Sequence, residues 1–233
     1  MQWNSLLTQL FGPYHGMRAA GDFLQGEVMF DGEPITVIGT TNHAPIGVEL
    51  ALAQARVVLD TITQHAGRPI LLLIDTQGQQ LRRRDELLGI NRAMAHLGAA
   101  IDLARRRGHR VIGLVYDQAL SGGFITSGLI ADACYALPEA EIRVMRIPAM
   151  ARVTKLPEEK LQLLSQSNPV FAPGVQNYVA MGGVRSVWQD DLKGALRDAL
   201  AHTPNEDLRA RDGAERGGRR LAAAVVQRVL DAT

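Results

Sequence analysis

Apolar residues follow two rhythms along this chain. Residues 23–30 and 35–41 read as strands, and Asp31-Gly32-Glu33-Pro34 between them is a turn signal, so a hairpin is predicted. Val48, Leu52, Ala55, Leu59 and Ile62 then recur every three or four residues, one stripe of a helix that Gly67-Arg68-Pro69 ends. Ile70 to Ile74 is a continuous apolar run, the mark of a strand covered on both faces. A second long helix carries Leu87, Ile90, Met94, Leu97, Ile101 and Ala104 on one stripe, with Arg105, Arg106 and Arg107 at its dipole-negative end. Gly108 stops it.

Residues 111–116 form another buried-type strand, followed by a short glycine-rich helix over 121–130. Short strands are predicted at 133–137, 142–145 and 184–188, with irregular helical segments through Arg152, 156–164 and 175–181. Asp190 or Asp191 caps a helix whose face is Leu192, Ala195, Leu196, Ala199 and Leu200. The polar stretch after His202 reads as a linker to a terminal helix at 221–230. The division is an N-terminal arm (1–20), one domain (21–205), and a linker with a C-terminal helix (206–233). Alternating strands and helices give an α/β fold with a mostly parallel sheet. A doubly wound sheet, a flavodoxin-like order and a spiral of ββα units all fit, and the short strands after the glycine-rich helix favour the spiral.

Composition narrows the class. The chain has 233 residues, 46% hydrophobic and 21% charged, the profile of a globular protein. One cysteine forms no internal disulfide, which points to a reducing compartment. A formal net charge of +1 argues against binding nucleic acid through its phosphates. No secretory pattern opens the sequence and no apolar run is long enough to span a bilayer, so a soluble cytoplasmic protein is expected.

Three loops carry the candidate chemistry. Ala119-Leu120-Ser121-Gly122-Gly123-Phe124 follows a buried strand and opens a helix. Paired glycines let a ligand approach the backbone, first-turn amides suit a developing oxyanion, and Ser121 is placed as an N-cap. A tight packing turn is the competing reading. Ser121 does not fit a nucleophile elbow, which needs Gly where Ala119 stands. Ile74-Asp75-Thr76-Gln77-Gly78 lies at a strand end, where ligands gather in open α/β folds, although a polar loop explains it equally. Thr41-Asn42-His43-Ala44-Pro45 joins a strand to a helix, and His43 there is able to donate a proton or orient a carboxylate. No metal site is expected: there is no H-x-x-x-H pair, and Cys134 sits in an apolar strand. The Arg82-Arg83-Arg84 run reads as a solvated helix start.

The order and spacing of these loops resemble the carboxyltransferase branch of the crotonase superfamily, in which a strand-I-D-T-P-G loop precedes a long helix, a strand and S-G-G-A. The Thr41–Pro45 loop and RIPAMARVTKLP at 146–157 resemble more closely the gamma subunits of biotin-independent malonate decarboxylases. The resemblance covers about residues 20–205. It implies a crotonase-like fold and decarboxylation of a malonyl thioester on an acyl carrier protein, through a thioester enolate. The implied partners are a beta subunit, the acyl carrier protein and an acyl carrier transferase subunit. It implies Gly122 and Gly123 as oxyanion donors, with Ser121 and His43 beside them. Asn42, Asp75, Thr76, Gln77, Gly78 and Phe124 are the implied substrate contacts. The chain binds no cofactor of its own, and the substrate arrives on the carrier's phosphopantetheine-type arm. Gln77 in place of Pro, and Phe124 in place of Ala, crowd the pocket for a ureido ring, so biotin is not expected. A carboxyltransferase passing the carboxyl group to biotin and a non-catalytic assembly subunit are the alternatives.

Overall fold

The two apolar rhythms become two covered faces of one sheet. In the computed structural model, which describes residues 1–166, 174–218 and 221–232, strands β1 (Arg18–Ala20), β2 (Phe23–Phe30) and β3 (Glu33–Thr40) form an antiparallel meander. Its tight turn places Asp31 and Gly32 at φ 51° and 91°, the doubly positive geometry that suits strand twist. β3 then pairs in parallel with β5 (Ile70–Gln79), β5 with β6 (Val111–Leu120), and β6 with β7 (Ala133–Ala136).

Alternation along β5 and β6 sorts side chains to opposite faces. Leu71, Leu73, Ile112, Leu114 and Tyr116 pack with helices α1 (Trp3–Phe11) and α9 (Leu192–His202). Ile70, Leu72 and Val111 pack with α2 (Val48–Gln64) and α4 (Ile90–Arg106). Each fully buried aliphatic side chain contributes about 1.5–3 kcal/mol by leaving water.

Both long strands change partners along their length. β5 shifts register between Ile74 and Thr76, and its second half pairs with β4 (Ala44–Ile46). β6 pairs with β7 through Val115, then with β8 (Glu141–Arg143) from Gln118 to Leu120. Each turn of the chain therefore supplies a strand to the main sheet, a short strand to a second layer, and a helical element. This is the predicted spiral of ββα units. It brings the ends of β4, β5 and β6 side by side.

Several expectations are corrected. The segment read as an arm forms α1, whose Leu6, Leu7 and Leu10 are fully buried in the core. The stripe beginning at Leu87 is broken: Gly89 at φ 77° separates α3 (Arg83–Leu87) from α4, leaving Leu87 76% exposed. Residues 184–188 form no strand, only a bridge between Val187 and Ala136. Asp191 caps α9, accepting from the Gly194 amide at 2.8 Å.

The stretch read as a linker contains α10 (Arg209–Glu215), which is fastened to the body. Arg216 donates to the Val179 and Val184 carbonyls at 3.0 and 3.2 Å, and Arg209 donates to the Ala131 carbonyl. Residues 219 and 220 of that stretch lie outside the described residues. α11 (Ala222–Asp231) follows as expected. Among the described residues, no helix is long and apolar enough to cross a membrane.

Candidate active site

The glycine turn lies where β6 ends. Helix α5 (Ser121–Phe124) begins there and continues as a π-helical turn over Ile125–Leu129. Ser121 is the first helical residue, at φ 53°, and its side chain makes no cap hydrogen bond, so the expected N-cap role is not taken up. The two glycines differ. A Cβ on Gly123 would lie 2.9 Å from the Gly78 backbone and 3.0 Å from Ile46 Cγ1, so this glycine exists to let α5 pack onto β5. A Cβ on Gly122 would meet only Met94 Cε, at 3.7 Å. Gly122 is therefore the member of the pair with open space before it. Gly78 completes the turn at φ 101°, where its own Cβ would lie 3.1 Å from the Leu120 carbonyl oxygen. The fold thus brings together Gly78, Ser121, Gly122 and Gly123.

The first-turn amides of a helix have no intrahelical acceptor and carry the positive end of its dipole. Lying at the joined ends of β5 and β6, those of α5 are suited to a carboxylate or a developing oxyanion. Gly78 contributes shape rather than a donor, because its N–H already goes to Thr76 Oγ1 at 3.0 Å.

Asp75, Thr76 and Phe124 are structural in this chain. Asp75 is 3% exposed at the point where β5 changes partners. Its carboxylate accepts from the His43 amide at 2.9 Å and the Gln118 amide at 3.3 Å, bracing three successive turns of the spiral. Burial raises its pKa above the ordinary carboxylate value, against the His43 amide, which pulls it down. The Thr76 hydroxyl donates to the Ala44 carbonyl at 2.6 Å and is wholly buried. Phe124 is 2% exposed, packed edge-on against Tyr178 in a cluster with Ile74 and Val115. Its ring turns into the core. The side chain of Gln77 is exposed.

His43 and Asn42 belong to a separate group. Asn42 donates to Asp22 Oδ1 at 3.0 Å. His43 Nε2 lies 3.4 Å from Asp117 Oδ1 and 3.7 Å from Asp75 Oδ1. Asp117 lies four residues before Ser121 on β6, so the imidazole pairs with the strand upstream of the glycine turn. Sequence reasoning missed Asp117, although Tyr116-Asp117 repeats the placement of Ile74-Asp75 at a strand's partner change. The ligating atoms of His43, Asp75 and Asp117 lie within 4.8 Å of one another, near enough to share a cation, a grouping that sequence spacing did not reveal. Their pairing with each other and with the two backbone amides accounts for the arrangement.

Comparison with known proteins agrees with this fold. A family model described as malonate decarboxylase gamma subunit matches residues 41–233. The Malonomonas rubra malonyl-S-ACP:biotin-protein carboxyltransferase MADD is 32% identical over 203 residues, 78% of this chain and 70% of that protein. A chain of a Pseudomonas malonate decarboxylase hetero-tetramer in complex with coenzyme A superposes with a TM-score of 0.81 at 24% identity, covering 97% of each chain. A chain of the Pseudomonas malonate decarboxylase MdcD–MdcE hetero-dimer gives 0.76 at 25% identity, covering 98% of this chain and 97% of that one. By its family match, its curated relative and its ββα spiral, the chain belongs to the malonate decarboxylase gamma subunit family.

Proposed function

We propose that this chain works with a beta-type partner subunit to convert a malonyl thioester, carried on an acyl carrier protein, into the acetyl thioester and CO2. The chemistry asks little of a base. When the bond between the carboxyl carbon and the methylene carbon breaks, its electron pair flows into the thioester as an enolate, and a proton then reaches that carbon. Catalysis consists of turning the carboxylate out of the thioester plane and fixing donors where charge collects. One missing oxyanion donor costs about a hundred- to a thousandfold in rate. The observation that carries the reading is the open Gly122 turn at the joined ends of β5 and β6, in a member of this family. On this reading the α5 amides hold the carboxyl end while the partner holds the thioester. An acyl carrier transferase subunit loads the carrier, and the setting is cytoplasmic.

The second reading is transfer of the same carboxyl group to biotin. It is favoured by the relationship to MADD, whose name describes that transfer. Both readings share enolate formation and part only at the fate of CO2. The test is to mix this chain, its partner and malonyl-carrier, with and without a biotinylated carrier. CO2 release without biotin supports the first reading, and carboxybiotin formation supports the second. Failure of both would leave an assembly subunit.

A further inference from the structure

The open space before Gly122 has one wall. Its chain neighbours and its own helix aside, Met94 Cε is the only atom among the described residues within 4 Å of a Cβ on Gly122, at 3.7 Å. Met94 stands on α4, on the buried stripe it shares with Ile90, Leu97 and Ile101. It packs in a small apolar cluster with Ile46, Ala51, Ile90 and Ala93. Ile46 backs the second glycine, since its Cγ1 is 3.0 Å from a Cβ on Gly123. One cluster therefore lies behind both glycines of the turn.

Its two contacting members differ in kind. Ile46 is fully buried on β4 and branched at Cβ, which makes it stiff. Met94 is 6% exposed, and its long unbranched side chain keeps its stem in the core while its methyl group reaches Gly122. Ile46 fixes the packing of the turn, and Met94 bounds the space in front of it.

We propose that Met94 is a specificity-determining residue whose terminal methyl group restricts the substrate's central carbon to an unbranched methylene. It rests on the proposed function, because it takes Gly122 to face the carboxyl end of a malonyl thioester. The carbon that loses CO2 is bonded directly to that carboxyl carbon, at about 1.5 Å. Any group attached to it comes within reach of a wall in van der Waals contact with the Gly122 position. A malonyl methylene presents only hydrogens to Met94, whereas a methyl branch needs the volume that Met94 Cε holds. Decarboxylation also turns the scissile bond out of the thioester plane, and a clash at the adjoining carbon opposes that geometry. One methylene in an apolar pocket changes kcat/KM about 10- to 200-fold, and the adaptable thioether sets this site near the lower end.

The experiment uses the chain in complex with its partner subunit, as wild type, Met94→Ala and Met94→Leu, with malonyl-carrier and methylmalonyl-carrier as substrates. Each protein is read as the ratio of kcat/KM for the two thioesters, which cancels any loss of folded enzyme. Wild type is expected to favour malonyl-carrier by about tenfold or more. M94A removes the wall and is expected to lower that preference about tenfold, with the volume-conserving M94L smaller in the same sense. Equal use of both substrates by wild type overturns the proposal, and so does an unchanged ratio in the variants that assemble. Wild type acting on neither thioester refutes the decarboxylase reading instead, and binding then decides the role of Met94. With isotope-labelled methionine methyl groups, the Met94 NMR signal is the one missing from M94L. Free malonate is expected to shift it, and methylmalonate to bind more weakly than malonate in wild type but not in M94A. A Met94 signal unmoved by malonate overturns the proposal.

Discussion

The two adjacent glycines of the α5 turn make opposite predictions. Gly123→Ala forces a methyl group to 2.9 Å from the backbone of Gly78 and 3.0 Å from Ile46 Cγ1, in a packed contact between α5 and β5. Backbone cannot swing aside as a flexible side chain can, so the strand or the helix must shift. Overpacking of this kind costs about 1–3 kcal/mol. At about 2–4 °C per kcal/mol for a chain of this size, the melting temperature should fall by about 2–12 °C. Gly122→Ala meets only Met94 Cε at 3.7 Å, an ordinary contact. Replacing a helical glycine removes backbone entropy from the unfolded chain, so stability should hold or rise by up to about 1 kcal/mol. Function should sort the other way. The methyl of G122A stands in the open space before the first-turn amides, where it should misplace the carboxyl end of malonyl-carrier and lower kcat/KM by about tenfold or more. Scanning calorimetry of the isolated chain and decarboxylation by the complex read the two effects separately. A G123A chain as stable as wild type would refute the packing assignment. A fully active G122A complex would remove the glycine turn from the chemistry.

Other outcomes follow from single residues. Asp75→Ala leaves the His43 and Gln118 amides without their acceptor, and denaturant unfolding should register a loss of about 2–4 kcal/mol. Asp85 and Asp75 should act oppositely on acid stability, measured as melting temperature between pH 2 and 6. Asp85 accepts from the Val48 amide, the main cause of its lowered pKa, so its contribution is present above the ordinary value of 3.8 and lost as pH falls through the native value. Asp75 has a raised pKa, so between 3.8 and its native value the folded chain holds a proton the unfolded chain has released, and stability declines as pH rises through that window. Asp85→Asn should flatten the first trend and Asp75→Asn the second. Burial pushes the Cys134 thiol up to about 12, so a thiol reagent at pH 8 should modify it only after unfolding. Leu7→Ala should cost about 2–5 kcal/mol by calorimetry if α1 is core, and almost nothing if it is an arm.

Much of the fold was legible because burial leaves a period in the sequence. The helix over Val48–Gln64 and the run from Ile70 to Ile74 needed only the rule that a helix repeats near 3.6 residues and a doubly covered strand is apolar throughout, although the helix buries Ala51, Gln54, Ala55, Val58 and Thr61 and leaves Leu52 of the predicted stripe 45% exposed. The glycine turn was legible as a motif, since S-G-G after a strand restricts what the backbone can do there. Local composition misled where a polar sequence still packs. Arg209 and Arg216 look like a solvated tether, but they satisfy backbone carbonyls of the body. Leu6, Leu7 and Leu10 lie near a terminus, yet they fill the space between the sheet and α9.

The sequence by itself determined the alternation of strands and helices, the carriers of the candidate chemistry and the family resemblance. These are properties of neighbouring residues, and local sterics and hydrophobic period encode them. Only the tertiary structure decided which glycine faces open space and which faces Gly78. Only it turned Phe124 and Thr76 inward, made Asp75 a brace and set His43 beside Asp117. Those outcomes depend on where β5 and β6 change partners, which brings residues more than thirty positions apart within hydrogen-bond distance. No local pattern records such an approach, because it is set by the packing of successive turns of the spiral against one another.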